Sequence, residues 1–237
     1  VSVLSIVQSA TDRLSLTRPS TVVTSTDLQV RQLFGLLLEA GNALAKRGDI
    51  GWQSLQNEWQ FVTVANEIQT NTPIPPDLAK FVPDSFYNRT QQRKIIGPLT
   101  PQQYQEQNAR PQLVAPYLAY RERAGAFLMN PVPSAGDTIA YEYVSSYWAK
   151  SSAGVAKAQF TSDDDGTYLD EELLILDLKW RWKQAKGFDY GEDLATAERE
   201  IVKALAGDGG STALDIGGPR TLEDLTRYNV PEGSFGV

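Results

Sequence analysis

The chain has 237 residues, 41% of them hydrophobic and 10% aromatic, with a net charge of −7 and neither cysteine nor histidine. That length and composition suit one folded domain or two small ones and exclude a disordered chain. The two missing residue types exclude disulfides, thiol nucleophiles, Ser-His-Asp triads and the usual zinc, haem and iron–sulfur ligand sets, so any chemistry would fall to Asp, Glu, Lys, Tyr, Ser or Thr.

Residues 1–16 mix apolar with polar side chains and do not read as the core of a signal peptide. The longest apolar run, within 33–38, is too short to cross a bilayer. A soluble protein with no membrane partner is therefore expected. The acidic balance argues against a general DNA-binding surface, which needs clustered Lys and Arg.

In chain order, Val3, Ile6, Val7, Ala10 and Leu14 recur at helical spacing and predict a first helix ending before Pro19. Thr26 and Gln29 read as a capping box that opens a second helix through Leu28, Leu33, Leu36, Leu37, Ala40 and Leu44, stopped by Gly48. Its apolar residues fill more than one stripe, so burial on two sides is expected. A short helical stretch around Trp52 and Leu55 follows.

The period then changes. Trp59 to Ala65 is rich in aromatic and β-branched residues and predicts a strand. Short strands broken by Pro and Gly continue at Phe81-Val82, Ser85 to Tyr87, Arg93 to Ile96, Tyr117 to Arg121, Ala126 to Met129 and Thr138 to Tyr147. A short helix over Pro101 to Asn108, capped by Thr100, interrupts them.

Helical spacing returns at Leu169. Asp170 caps a helix running to Gly187, with acids in its first turn and bases in its last, the order that complements the helix dipole. A final helix covers about Gly191 to Ala206, and a glycine-rich tail follows Gly207. The predicted fold is α+β: a helical bundle built from both chain ends (1–57 and 167–207), a β-rich insertion (58–166) and an extended C-terminal arm (208–237).

Three stretches invite a chemical reading. Thr161 to Glu172 places Asp163, Asp165, Gly166 and Glu172 at the third, fifth, sixth and twelfth positions of an EF-hand loop, but Thr161 and Leu169 stand where acidic or polar ligands belong. A capped helix start explains the same letters, so no metal is expected and calcium binding by Asp163, Asp165 and Glu172 is the alternative. Asp170, Glu171 and Glu172 would serve acid–base catalysis only in a cleft that raises a pKa, and adjacent helical residues point apart. No phosphate loop is present, since Gly207, Gly209 and Gly210 lack the following Lys-Ser/Thr. No catalytic residue and no cofactor is expected.

The third stretch is Lys179 to Lys183. Leu173, Leu176 and Trp180 are expected to line a core stripe, with Arg181 and Lys183 reaching outward. Trp180 and Trp182 cannot share one narrow face, so one is expected in the core and the other at a boundary with a neighbour, where Trp and Arg are favoured; burial of both in the core and stacking on nucleic acid are the alternatives. Trp180, Arg181, Trp182 and Lys183 are thus candidate interface residues.

Several ordered segments together resemble the head-to-tail adaptor (neck) proteins of short-tailed bacteriophages: STDLQVRQLFGLLLEAGNALAKRGDIGWQSL at 25–55, FVTVANE at 61–67, PDSFYNRTQQRKIIGPLTPQQY at 83–104, FLMNPVPSAGDTIAYEYVSSYW at 127–148 and YLDEELLILDLKWRWKQAKGFDYGEDLATAE at 168–198. The resemblance implies a non-catalytic virion protein at the neck, assembled in the host cytoplasm. It implies a homo-oligomeric ring, typically of twelve copies, that joins the portal protein to the tail nozzle or tail fibre proteins. Double-stranded DNA would pass through its lumen without sequence-specific binding. It extends the candidate contacts to Pro219, Arg220, Leu222, Leu225, Tyr228 and Phe235 in the arm. A tail-tube or head-completion protein, a calcium-binding module and a carboxylate glycosidase are the alternatives.

Overall fold

A computed structural model describes residues 2–48, 51–109 and 117–208. Its helices are α1 (Val3–Arg13), α2 (Leu28–Ala45), α3 (Pro101–Ala109), α4 (Glu171–Lys186) and α5 (Gly191–Asp208). Its strands begin with β1 (Gln56–Val62), β2 (Ile68–Gln69), β3 (Leu78–Phe81), β4 (Tyr87–Asn88), β5 (Arg93–Lys94) and β6 (Ala119–Arg123). They end with β7 (Ala126–Asn130), β8 (Thr138–Ser145), β9 (Ala149–Lys150), β10 (Ala156–Lys157) and β11 (Gly166–Thr167). The class is α+β, with five helices and antiparallel sheets among the described residues.

Local chemistry sets most helix ends. Ser2 and Ser5 cap α1 reciprocally, each hydroxyl accepting from the other's N–H. Thr100 and Gln103 do the same for α3. The cap of α2 is Asp27, not Thr26: its carboxylate accepts from Gln29 N at 2.7 Å. A charged acceptor is favoured there by the helix dipole. Asp170 caps α4 through Glu172 N, and Gly187 closes it in the left-handed conformation (φ 74°). A short 3₁₀ turn at Gln53–Leu55 leads into β1, which starts three residues before the predicted Trp59.

Four of the helices, α1, α2, α4 and α5, share one apolar core. α4 packs against α1, α2 and α5, burying Leu173, Leu174, Ile175, Leu178 and Trp182. α2 turns Val30, Leu33, Leu37, Ala40 and Leu44 inward, while Phe34, Leu36 and Leu38 lie half-buried on its flanks.

The strands enclose a second core. β8 pairs along its length with β1 on one side and with β3 and β4 on the other. β4 pairs β5, and Ile96 then bridges to Ala119 at the start of β6. β6, β7 and β2 follow in order. The circuit returns to the end of β1 through side chains, with Asn71 donating to Val62 O at 3.3 Å. Gln69, only 2% exposed, accepts from Val64 N at 2.9 Å and donates to Val64 O at 3.2 Å, substituting for a strand neighbour. Inside, Phe86 is stacked between Tyr120 at 4.0 Å and Tyr141 at 4.4 Å, and Phe127 meets it edge-on.

β8 belongs to both cores. Ile139, Tyr141 and Tyr143 point into the aromatic cluster, whereas Val144 joins the helical one. Just beyond the strand lies Trp148, fully buried against α2. A Cβ added at Gly41 would stand 2.3 Å from the Trp148 ring, but one at Gly35 in the same helix would meet nothing within 4 Å.

These two glycines make a matched test. Gly35→Ala should stabilise the protein by about 0.5–1 kcal/mol through helix propensity. Gly41→Ala should instead cost about 1–3 kcal/mol by overpacking. Urea unfolding of the two variants measures both signs.

Candidate interface sites

The acidic run at 163–165 is a fastening. Asp163 accepts from Val22 N and Val23 N, at 2.7 Å for the latter. Its carbonyl and that of Asp165 accept from Leu4 N and Val3 N, filling acceptor positions that the first turn of α1 lacks. The Asp165 carboxylate, 2% exposed, takes N–H bonds from Thr161 and Ser162, a hydroxyl bond from Thr161, and an ion pair from Lys157 at 2.8 Å. Glu172 makes a two-pronged pair with Arg13 across α1 and α4. The three acids of the calcium alternative thus face three different sets of donors. Among the described residues no group of three or more Asp or Glu converges on a common point that could hold a metal ion.

The carboxylates whose acidity the fold visibly shifts all move downward. Burial would raise Asp165 and Asp193, but Lys157 and backbone donors outweigh it at the first, and Lys179 and Lys183 at the second. Glu172 is lowered by Arg13, and Glu58 by Gln60 and Arg89. A general acid needs the opposite shift. Burial also raises the phenols of Tyr120 and Tyr141, and burial and Asp77 push Tyr143 up to about 12, so none is a ready proton acceptor. This electrostatic pattern suits holding elements together.

In the 179–183 stretch, the structure separates the two tryptophans as the spacing requires, but with the roles exchanged. Trp182 is the core residue, 4% exposed, with the Lys186 ammonium over its ring. Trp180 and Leu176, expected in the core stripe, are half-buried and lie outside the buried face of α4, which Leu173, Leu174, Ile175, Leu178 and Trp182 form instead. The Trp180 indole donates to Asp177 at 2.7 Å, Arg181 binds the other Asp177 oxygen at 2.7 Å, and the guanidinium lies over the Trp180 ring at 4.6 Å. Tyr190 tilts against Trp180 from the far side of the Gly187 turn, where Phe188 stands 63% exposed. Arg181 and Lys183 do not simply reach outward. Asp177 holds Arg181, and Asp193 on α5 binds Lys183 together with Lys179. Asp177 and Asp193 were not singled out by sequence reasoning, although an acid four residues before Arg181 is a readable signal.

The end of α4 therefore presents an aromatic shoulder of Trp180, Arg181, Phe188 and Tyr190. The remaining candidates, Pro219, Arg220, Leu222, Leu225, Tyr228 and Phe235, lie outside the described residues.

The Asp165 fastening has a pH signature. Its carboxyl is held at about 2 in the folded chain, against about 4 when unfolded. The stabilisation is complete above about pH 5 and is lost as pH falls from about 4 towards 2. Urea unfolding across that window should show about 1–2 kcal/mol lost at this site. Asp165→Asn should remove that part of the acid dependence.

Comparison with known families gives one match: the model for the SU10 adaptor protein covers residues 1–219, which includes every described residue. No curated protein matches the chain.

Proposed function

The chain belongs to the SU10 adaptor protein family, a structural family of phage head-to-tail adaptors, and on that premise we propose that it forms a ring at the virion neck, between the portal and the tail nozzle. The observation that carries this reading is the family match over 1–219, continuous across both cores. In this reading the helical parts, 1–57 and 167–207, make the contacts within the ring and with the portal. The β-rich part, 58–166, meets tail components, and the arm at 208–237 grips a partner through Pro219, Arg220, Leu222, Leu225, Tyr228 and Phe235.

The shoulder at the end of α4 supports a docking role. Three of its side chains are held before any partner arrives: Trp180 by Asp177 and Arg181, Arg181 by Asp177, and Tyr190 by its packing on Trp180. Pre-ordering of this kind lowers the entropy lost on association, and Trp, Tyr and Arg are the side chains that dominate interface energetics. Trp182 and Lys183 contribute from behind, one by filling the core and the other by holding α5. The net charge of −7 fits a channel wall that repels phosphate, so that DNA slides through without adhering.

Particle mass with and without purified portal rings tests the proposal. We expect a monomer or weak oligomer alone and a ring of about twelve copies on the portal, in line with closed heterologous assembly. A chain that stays monomeric with portal present contradicts it. The variants separate contact from fold. Phe188→Ser, at a 63% exposed position, should weaken assembly on the portal by at least about tenfold while leaving unfolding nearly unchanged. Trp182→Ala should cost about 3–5 kcal/mol of stability.

A further inference from the structure

Of the four helices that share the apolar core, α5 is the least buried. It hides only Ala197 and Ile201 of its 18 residues, with Leu194, Ala204 and Leu205 half-buried. The 16 residues of α4 include six that are hidden, among them Leu174, Leu178 and Trp182. Stabilisation by burial scales with the apolar area removed from water, and alanines bring little of it. Burial alone therefore holds α5 weakly.

Charged side chains supply further fastenings, at three points spread along the helix. Near its start, Asp193 binds Lys179 at 2.8 Å and also Lys183, both on α4. At its middle, Glu198 forms a two-pronged pair with Arg47, with contacts of 2.5 and 3.0 Å. At its end, the Asp208 carboxylate accepts from Gln53 N at 2.6 Å. The Arg47 and Glu198 side chains are 42% and 39% exposed, so water and salt reach that pair and weaken it.

The joint that leads into α5 is firmer than α5 itself. Gly187 N and Phe188 N bond back to Gln184 O and Lys183 O and close α4, and Tyr190 packs on Trp180. The chain is thus held up to Tyr190. Gly191, the first residue of α5, is where a change of direction leaves α4 intact, as hinges at the ends of elements do.

We propose that α5 is a releasable element, which undocks as one unit about Gly191 while α1, α2 and α4 keep their packing. Undocking breaks the three charged fastenings together and uncovers both the Ile201 face of α5 and the core surface beneath it. Elements with few buried apolar contacts open first in native proteins, and they open as cooperative units. The inference goes beyond the adaptor reading and stands without ring formation.

Amide exchange in the full-length chain tests it. The amides of residues 197–205 should share one opening and exchange at least about tenfold faster than the interior amides of α4 and β8. Raising NaCl from about 0.05 M to about 1 M should speed α5 by at least about threefold relative to α4. Arg47→Gln, a change outside α5, should speed α5 alone by at least about threefold. Rates in α5 equal to those in α4 would overturn the proposal, because α5 would then open only with the whole core. Rates that fall steadily from Leu205 back to Ala197, the mark of fraying from one end, would overturn it as well. So would an α5 rate that salt leaves unchanged, or that Arg47→Gln leaves unchanged.

Discussion

The structure depends on the passage of one strand and one tryptophan between two cores. β8 contributes alternate side chains to the aromatic cluster and Val144 to the helical one, and the chain then buries Trp148 against Gly41. The Trp148 indole donates to Asn42 at 2.9 Å, its ring meets Phe160 edge-on, and its carbonyl accepts from Tyr168 N and the Thr167 hydroxyl. α2, β8, β11 and the approach to α4 therefore all converge on one residue, through its side chain and its carbonyl. Because packed cores tolerate little change in volume, neither core can be repositioned without disturbing this seam.

The acidic residues give the second organising theme. Although the chain carries a net charge of −7, several of its least exposed acids have structural duties. Asp163 and Asp165 fasten the start of α1 and the segment before α2, Asp177 orders the shoulder, and Asp193 ties α5 to α4. Asp77 accepts from Tyr143 and Ser145, and Asp137 from Asn88 and Gln91. Each carboxylate satisfies several donors at once, which makes it an efficient junction between segments distant in sequence. An acidic chain of this kind acquires internal order from its charges, and the remaining acids set its surface potential.

Much of this was legible from residue patterns, for identifiable reasons. α4 was readable at both ends because Asp170 and Gly187 are chemically specific caps, and β8 was readable because its alternation spans eight residues. The face of α4 was not. With α1, α2 and α5 all packed against it, apolar residues occur around much of its circumference, so periodicity could not decide between Trp180 and Trp182. The two-residue strands β2, β4, β5, β9, β10 and β11 are too short to carry a period. The closing bond of Gln69 is a tertiary event that no local pattern announces. At the candidate site, the aromatic letters were visible, but Asp177 and Asp193, which decide where Arg181 and Lys183 point, become meaningful only once the helices are placed. The ordered segments that resemble phage adaptors agree with the family match over 1–219.

The proposed function is at root a location, the junction of head and tail. Imaging virions that carry a compact density tag on this chain tests it most directly. The account predicts tag density in a single ring at the junction of the portal and the tail. Density distributed along the tail, on the capsid shell, or missing from the mature particle would contradict it.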